Sequence, residues 1–134
     1  KVSFETVCQK MGVQYMTINP DDEYYNEMDY YAIIRLVLEQ NPQIDGIFAS
    51  SDLIAAQVIQ ICKEKQIQVP EQLKVVGFDD VNIASLTTPR ITTIRQPVKE
   101  MADAAVSALN SVLSGETVAK EMRFPVSLIK REST

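Results

Sequence analysis

Two short apolar runs in this chain each end directly in hydroxyl or carboxylate residues, and a helical pattern follows each run. The first run, Ile44–Ala49, leads into two serines and an aspartate, and the second, Leu73–Phe78, leads into two aspartates. Apolar strands that alternate with helices predict a parallel α/β sheet. Because ligands of such sheets bind outside the carboxyl ends of the strands, one rim is expected to carry the groups that read hydroxyls of a small polar ligand: Ser51, Asp52, Asp79 and Asp80.

Hydrophobic periodicity predicts the other elements of the chain. Helices are expected at Val2–Met11, Asn26–Gln40, Asp52–Gln66, Val81–Leu86 and Pro97–Ser114. Further extended segments are expected at Val13–Ile18, Thr92–Arg95 and Arg123–Lys130. Ser50 or Ser51 is a suitable cap for the helix that starts at Asp52.

Composition excludes several classes of protein. The chain has 134 residues, of which 46% are hydrophobic, so it can bury a core as one domain. No apolar run approaches the ~20 residues that a membrane span needs. The net charge is −5 and the basic residues are scattered, whereas a surface that binds duplex DNA needs a stripe of Lys and Arg.

An enzymatic role is not expected from these residues. With no histidine in the chain, a Ser-His-Asp arrangement is impossible, and isolated glycines exclude a phosphate loop. Asp79 and Asp80 are adjacent on an extended segment, so their side chains point to opposite sides and one of them faces the cleft. Both ligand contact and capping of the next turn remain open for this pair. A small hydrolase would need a base, a nucleophile or a metal set that the sequence lacks.

Other candidate groups also have two readings. Cys8 and Cys62 are far apart and fit reduced core thiols better than a disulfide or metal site. The acidic run at residues 21–23 fits a solvated loop better than a metal site, and no metal or cofactor is expected. Four tyrosines would either stack on a sugar ring or cover a junction between helix and sheet: Tyr24, Tyr25, Tyr30 and Tyr31.

Five motifs follow one another in a fixed order. They are Ile47-Phe48-Ala49-Ser50-Ser51-Asp52-Leu53-Ile54-Ala55, Val69-Pro70-Glu71, Val75-Val76-Gly77-Phe78-Asp79-Asp80, Thr88-Pro89-Arg90-Ile91-Thr92-Thr93-Ile94-Arg95-Gln96-Pro97 and Arg131-Glu132-Ser133-Thr134. In this order they resemble the carboxyl-terminal half of the lactose-repressor (LacI/GalR) family of transcription regulators. The resemblance covers nearly the whole chain and is most specific over residues 44–97.

The resemblance implies a fold similar to the periplasmic sugar-binding proteins (type I), in which two α/β subdomains joined by three crossovers hold an effector between them. Residues 1–96 would form a carboxyl-terminal effector-binding subdomain that is truncated at its start. Residues 97–118 would form a helix of the amino-terminal subdomain, and residues 119–134 the return crossover and terminal segment. The expected fold class is therefore an incomplete α/β three-layer sandwich with a parallel sheet. The helix-turn-helix would precede Lys1.

The resemblance also implies roles for individual residues. Asp79 matches the family's effector-binding aspartate, Ser51 matches a position that is often asparagine and reaches effector hydroxyls, and Val98 matches a position that some members fill with a bulky cleft aromatic. The helix from Asp52 is apolar nearly all round its first turns, so its outer face needs a second partner. A dimer interface is expected there, and it would include Ile59, Ile83 and Leu86.

Taken together, these features predict the effector-binding and dimerisation part of a cytoplasmic sugar-responsive repressor, with no enzymatic activity. Its expected partners are a small sugar or sugar phosphate, a second copy of the chain and, through the preceding domain only, operator DNA. No membrane partner is expected. The alternative is an extracytoplasmic sugar-binding protein of a transport system, which shares the fold.

Overall fold

A computed structural model describes residues 2–18 and 30–134 of the chain. The helices are α1 (Val2–Met11), α2 (Tyr31–Gln40), α3 (Asp52–Glu64), α4 (Ile83–Leu86) and α5 (Val98–Leu113). The strands are β1 (Gly46–Phe48), β2 (Lys74–Asp79), β3 (Thr92–Arg95) and β4 (Ser127–Ile129). Most of these elements lie where the periodicity predicts them. The elements β1, α3, α4 and α5 begin or end one or two residues inside the expected bounds, and β4 begins four residues inside them.

The strands form a single sheet in the order β1-β2-β3-β4. The first three strands are parallel, with Ile47 opposite Val75 and Gly77 opposite Thr93. Strand β4 is antiparallel to β3, with Thr93 opposite Ile129. The sheet is therefore mostly parallel, and the carboxyl ends of β1, β2 and β3 share one edge, as the fold class requires.

Helices cover both faces of the sheet. Helix α3 packs on β2 and is flanked by α2 and α4. On the opposite face the ring of Phe4 in α1 stacks on Phe48 at a centroid distance of 6.1 Å. Side chains alternate along a strand, so Phe48 faces α1 while its neighbour Ile47 lies against the core. The expected layers of helix, sheet and helix are thus present.

The core lies between α2, α3 and the inner face of the sheet. Fully buried aliphatic residues fill it, chiefly Val58, Ile61, Leu73, Val75 and Ile91. Cys8 and Cys62 are both buried free thiols, as predicted. Tyr30 and Tyr31 pack on this core, which matches the expected junction role. Tyr24, Tyr25 and residues 21–23 lie outside the described ranges.

Helix α5 differs from the other long helices because none of its residues is buried. Its apolar stripe is exposed along the whole helix, from Val98 to Leu113. None of the residues that the structure describes covers this stripe. Among the described residues no helix is long and apolar enough to span a membrane.

The prediction of a strand at Val13–Ile18 is wrong, because the structure shows no strand in that segment. Its alternating side chains have strand propensity, but a strand also needs a ladder of backbone partners. The Val13 amide instead donates to the Cys8 carbonyl at 3.0 Å, and Gly12 adopts a φ of +66°. The backbone here therefore closes the end of α1. The predicted start of the next helix, at Asn26, lies outside the described ranges.

Candidate functional site

A cleft lies at the carboxyl edge of the sheet. It encloses about 480 Å³ between the start of α3 and the turn that leads from β2 to α4. The lining residues are Ser51, Asp52, Leu53, Asp79, Val81, Asn82 and Ile83. The structure therefore brings together three of the predicted rim residues: Ser51, Asp52 and Asp79.

Asp79 is the carboxylate that lines this cleft. Its Oδ1 accepts a hydrogen bond of 2.6 Å from Nε2 of Gln96, which lies just after β3. The side chain is partly exposed. A carboxylate has about four acceptor sites, so this single bond leaves Asp79 with the capacity to accept bonds from ligand hydroxyls.

Asp80 turns away from the cleft and forms an ion-pair network. Its Oδ2 accepts from Nε of Arg95 and its Oδ1 accepts from a terminal nitrogen of Arg131, each at 2.6 Å. Burial raises the pKa of the Asp80 carboxyl, but the hydrogen bonds and charges of Arg131 and Arg95 outweigh this and leave its pKa below the ordinary value. The expectation that only one of the two aspartates faces the cleft is confirmed.

The backbone at this pair is unusual. Asp79 has a φ of 101° and Asp80 has a φ of 56°, in a region that residues with a Cβ rarely occupy. Such conformations cost about 1–3 kcal/mol each and persist only where the surroundings fix them. The turn separates the two carboxylates, so that Asp79 binds Gln96 while Asp80 binds two arginines.

Asp52 is the most deeply buried charged residue of the site, with 0% exposure. Its Oδ1 accepts from the Thr93 hydroxyl at 2.5 Å, and its Oδ2 accepts from the Val81 amide at 2.8 Å. Gly77 lies against it, because a Cβ on that glycine would fall well inside van der Waals contact with Oδ1 of Asp52. Both carboxylate oxygens are therefore engaged inside the protein.

Ser51 is the N-cap of α3, and its Oγ accepts from the Ile54 amide at 3.3 Å. This identifies which of the two serines performs the predicted capping. The hydroxyl proton of Ser51 is not used by that bond, so Ser51 can still donate to a ligand in the cleft. Capping and ligand contact are thus compatible at this residue.

The remaining predicted site residues lie in different surroundings. Val98 is 65% exposed at the start of α5 and is not among the residues that line the cleft. Of the expected interface residues, Ile59 is 5% exposed and belongs to the core, whereas Leu86 is 75% exposed. Ile83 is half-buried and also lines the cleft. Of these three residues, Leu86 is the most exposed.

Within the described ranges, no group of three or more potential ligand side chains could hold a metal ion. Burial raises the pKa of the Cys62 thiol to about 11. That thiol is therefore protonated at neutral pH and is not a nucleophile. The cleft provides hydrogen-bond donors and acceptors for a polar ligand.

Sequence reasoning missed three residues of the site: Gln96, Arg95 and Arg131. Each lies in a segment whose local pattern predicts only a strand end or an extended tail. Arg95 and Arg131 come to Asp80 from positions 15 and 51 residues away in the chain. A polar residue directly after β3, at the same sheet edge as Asp79, is the signal that identifies Gln96.

Comparison with known proteins agrees with this geometry. The family model of the periplasmic binding protein-like domain matches residues 1–134. The chain is similar to the sucrose operon repressor of Streptococcus mutans, with 35% identity over 72% of the chain and 30% of the repressor. It is also similar to the ribose operon repressor of Halalkalibacterium halodurans, with 27% identity over 98% of the chain and 39% of the repressor.

A solved structure shares the fold. It is a LacI family transcriptional regulator from Arthrobacter sp. FB24 in complex with lactose, with a TM-score of 0.83 and 26% identity. The match covers 99% of the chain and 50% of the regulator. The chain thus spans less than half the length of the two repressors and half of this regulator.

Proposed function

Because this chain belongs to the family of periplasmic binding protein-like domains and is of the LacI/GalR regulator type, we propose that it is the effector-binding part of a sugar-responsive transcriptional repressor. The effector is a small sugar that lies in the cleft at the carboxyl edge of the sheet. Asp79 accepts hydrogen bonds from its hydroxyls, and Ser51 donates one. The chain performs no chemical reaction in this proposal.

The observation that carries the proposal is the environment of Asp79. Its carboxylate lines the cleft, is partly exposed and accepts a single bond, from Gln96. Charged acceptors form hydrogen bonds roughly twice as strong as neutral ones, which suits recognition of a ligand that is rich in hydroxyls. The two repressors are named for the sucrose and ribose operons, and the regulator is bound to lactose. These names support a sugar as the class of effector.

Signalling in this proposal depends on the segment after β3. Arg95 and Gln96 bind the neighbouring carboxylates Asp80 and Asp79, respectively. A ligand that engages Asp79 therefore acts next to the residues that lead into α5. Helix α5 packs on a second subdomain in the longer protein, and the effector changes the relative orientation of the two subdomains. The change reaches operator DNA through a DNA-binding domain in the cytoplasm.

Self-association is the second part of the proposal. The exposed Leu86 and the half-buried Ile83 lie together on α4. A symmetric dimer is the commonest assembly of soluble proteins, and an exposed apolar helix beside α3 is suited to such a contact. Ile59 lies in the core and is 5% exposed, so it offers almost no surface to this contact.

Titration calorimetry on the complete protein that carries this chain tests the proposal, with sucrose, ribose, lactose and their phosphorylated forms as ligands. Asp79→Asn should weaken binding by about 1–3 kcal/mol, because a charged acceptor of hydroxyl bonds becomes neutral. Asp45→Asn is the matched control, since Asp45 is exposed just before β1, at the opposite edge of the sheet. Equal affinities of Asp79→Asn and the unmodified protein would remove Asp79 from the site.

A further inference from the structure

The turn that carries Asp79 is held by contacts at three points. Gln96 binds the side chain of Asp79, and two arginines bind the side chain of Asp80. The third point is the backbone: the Val81 amide donates to Oδ2 of Asp52 at 2.8 Å. Val81 directly follows the two residues of positive φ. The Asp52 bond is therefore the contact that fixes where this strained turn ends.

The Asp52 carboxylate is itself fixed by rigid surroundings. It lies in the first turn of α3, accepts from Thr93 on β3 and faces Gly77 on β2. It thus joins a helix, two central strands and the turn. Asp52 borders the cleft, but it is 0% exposed and both of its carboxylate oxygens are engaged inside the protein, so the carboxylate itself is not available to a ligand.

We infer that Asp52 is a positioning residue for the effector site, which acts through the Val81 amide to hold the Asp79 carboxylate in the cleft. This inference rests on the proposed function, since it assigns Asp52 to the same site, but it gives Asp52 a different role from direct contact with the effector. Each oxygen of the Asp52 carboxylate accepts one bond, so the Thr93 hydroxyl and the Val81 amide both have a partner. Gly77 makes this arrangement possible, because it has no side chain and so leaves room for Oδ1 of Asp52.

Nuclear magnetic resonance on the chain itself tests the inference without any effector. The probes are the hydrogen exchange of the Val81 amide and the side-chain amide signal of Gln96, which reports the place of Asp79. Asp52→Ala should accelerate Val81 exchange by roughly tenfold or more and should shift the Gln96 signal. Asp52 has no hydrogen bond to Gln96 in the structure, so a shift there means that the turn has moved.

Thr93→Val is the matched control. It removes the other bond to Asp52 and keeps the shape of the side chain, but it leaves the Val81 bond in place. We expect Thr93→Val to lower stability and to change the Val81 exchange and the Gln96 signal much less than Asp52→Ala does, because the Val81 bond remains. If Asp52→Ala does not fold, Asp52→Ser serves instead, because its hydroxyl is too short to reach Val81 and is tolerated at a helix start. A folded Asp52 variant with an unmoved Gln96 signal would overturn the inference, and so would an equal shift in Thr93→Val.

A double-mutant cycle on sugar affinity separates the inference from the proposed function. The cycle combines Asp52→Ala with Asp79→Asn in the complete protein, and the probe is whichever of sucrose, ribose or lactose binds the unmodified protein. If Asp52 acts through Asp79, its loss should weaken binding several-fold alone and much less in the Asp79→Asn background. Additive losses would overturn the positioning role. If none of the sugars binds, the proposed function fails, while the resonance measurement still decides the role of Asp52.

Discussion

The guanidinium of Arg131 donates to Oδ1 of Asp80 across 2.6 Å, although 51 residues separate the two in the chain. The same guanidinium donates to the carbonyl of Ile91 at 2.9 Å. The terminal segment is thereby bound to the turn beside the cleft and to the start of β3. The site therefore depends on a residue that no local motif connects to it.

Asp80→Asn should destabilise the chain by about 1–3 kcal/mol at neutral pH, because two charge-assisted bonds are lost and Arg131 keeps a partly buried charge. The pKa of Asp80 in the folded chain lies below its ordinary value of 3.8. A lowered pKa stabilises the fold above the ordinary value, and this contribution is lost as the pH falls through the folded value. The free energy of unfolding, measured by urea denaturation, should therefore differ less between Asp80→Asn and the unmodified chain below about pH 4.

Glu132→Gln is the control for this pH dependence. Its hydrogen bonds with Arg90 also lower the pKa of Glu132, but both side chains of the pair are about half exposed. Exposed ion pairs contribute little to stability, so Glu132→Gln should lose less stability than Asp80→Asn does. A gap between Asp80→Asn and the unmodified chain that stays constant down to pH 2 would contradict the assigned role of the Asp80 network.

Gly77→Ala should lower the free energy of unfolding by about 1–3 kcal/mol, because the new methyl group overpacks a closed site. A Cβ there would overlap Oδ1 of Asp52 and lie 3.2 Å from Cγ2 of Ile91. Gly46→Ala is the matched control on the neighbouring strand, where the nearest atom to a new Cβ is 4.0 Å away. Chemical denaturation that gives equal stabilities for the two variants would contradict the close packing of Gly77 on Asp52.

The Cys62 thiol should react slowly with thiol reagents in the folded chain. It is buried in α3, and burial raises its pKa to about 11, so almost no thiolate is present at pH 8. Reaction with a chromogenic disulfide in a Cys8→Ser background isolates this thiol. We expect slow reaction in buffer and fast reaction in denaturant. Fast reaction without denaturant would place Cys62 in a region that opens readily.

Leu86→Glu should weaken self-association of the chain, because a charge would enter the proposed contact of α4. Sedimentation equilibrium measures this, with Leu36→Glu as the control on the exposed side of α2. The control should associate as the unmodified chain does. An unmodified chain that sediments as a monomer of 15.0 kDa would overturn the proposed interface.

The sequence predicts those helices and strands in which apolar side chains recur with a clear period. The strand Thr92–Arg95 has its expected bounds, and Ser51 caps α3 because a serine directly before an apolar helix supplies the oxygen that the first amides need. The prediction of a strand at Val13–Ile18 is wrong, because alternating side chains indicate strand propensity but do not show whether a neighbouring strand is available for backbone pairing. Patterns within one segment cannot report what its backbone pairs with.

The candidate site shows the same division. Asp79 is identifiable because a carboxylate that follows a buried strand lies at the ligand edge of a parallel sheet. Asp52 has the same local signal, yet its carboxylate is turned inward by Thr93 and Val81, which lie 41 and 29 residues away. Local sequence therefore locates the edge of the sheet, and tertiary contacts decide which carboxylate faces the cleft.

The positive φ of Asp79 affects both the stability of the chain and the proposed ligand contact. Glycine would adopt a φ of 101° without strain, so replacement by glycine would make folding easier at that position. The same replacement would remove the carboxylate from the cleft. A library of variants selected for heat resistance alone should therefore enrich glycine at residue 79, and the survivors should lack the ligand contact that we propose for Asp79. Stability thus favours glycine at position 79, whereas the proposed recognition of the ligand requires aspartate.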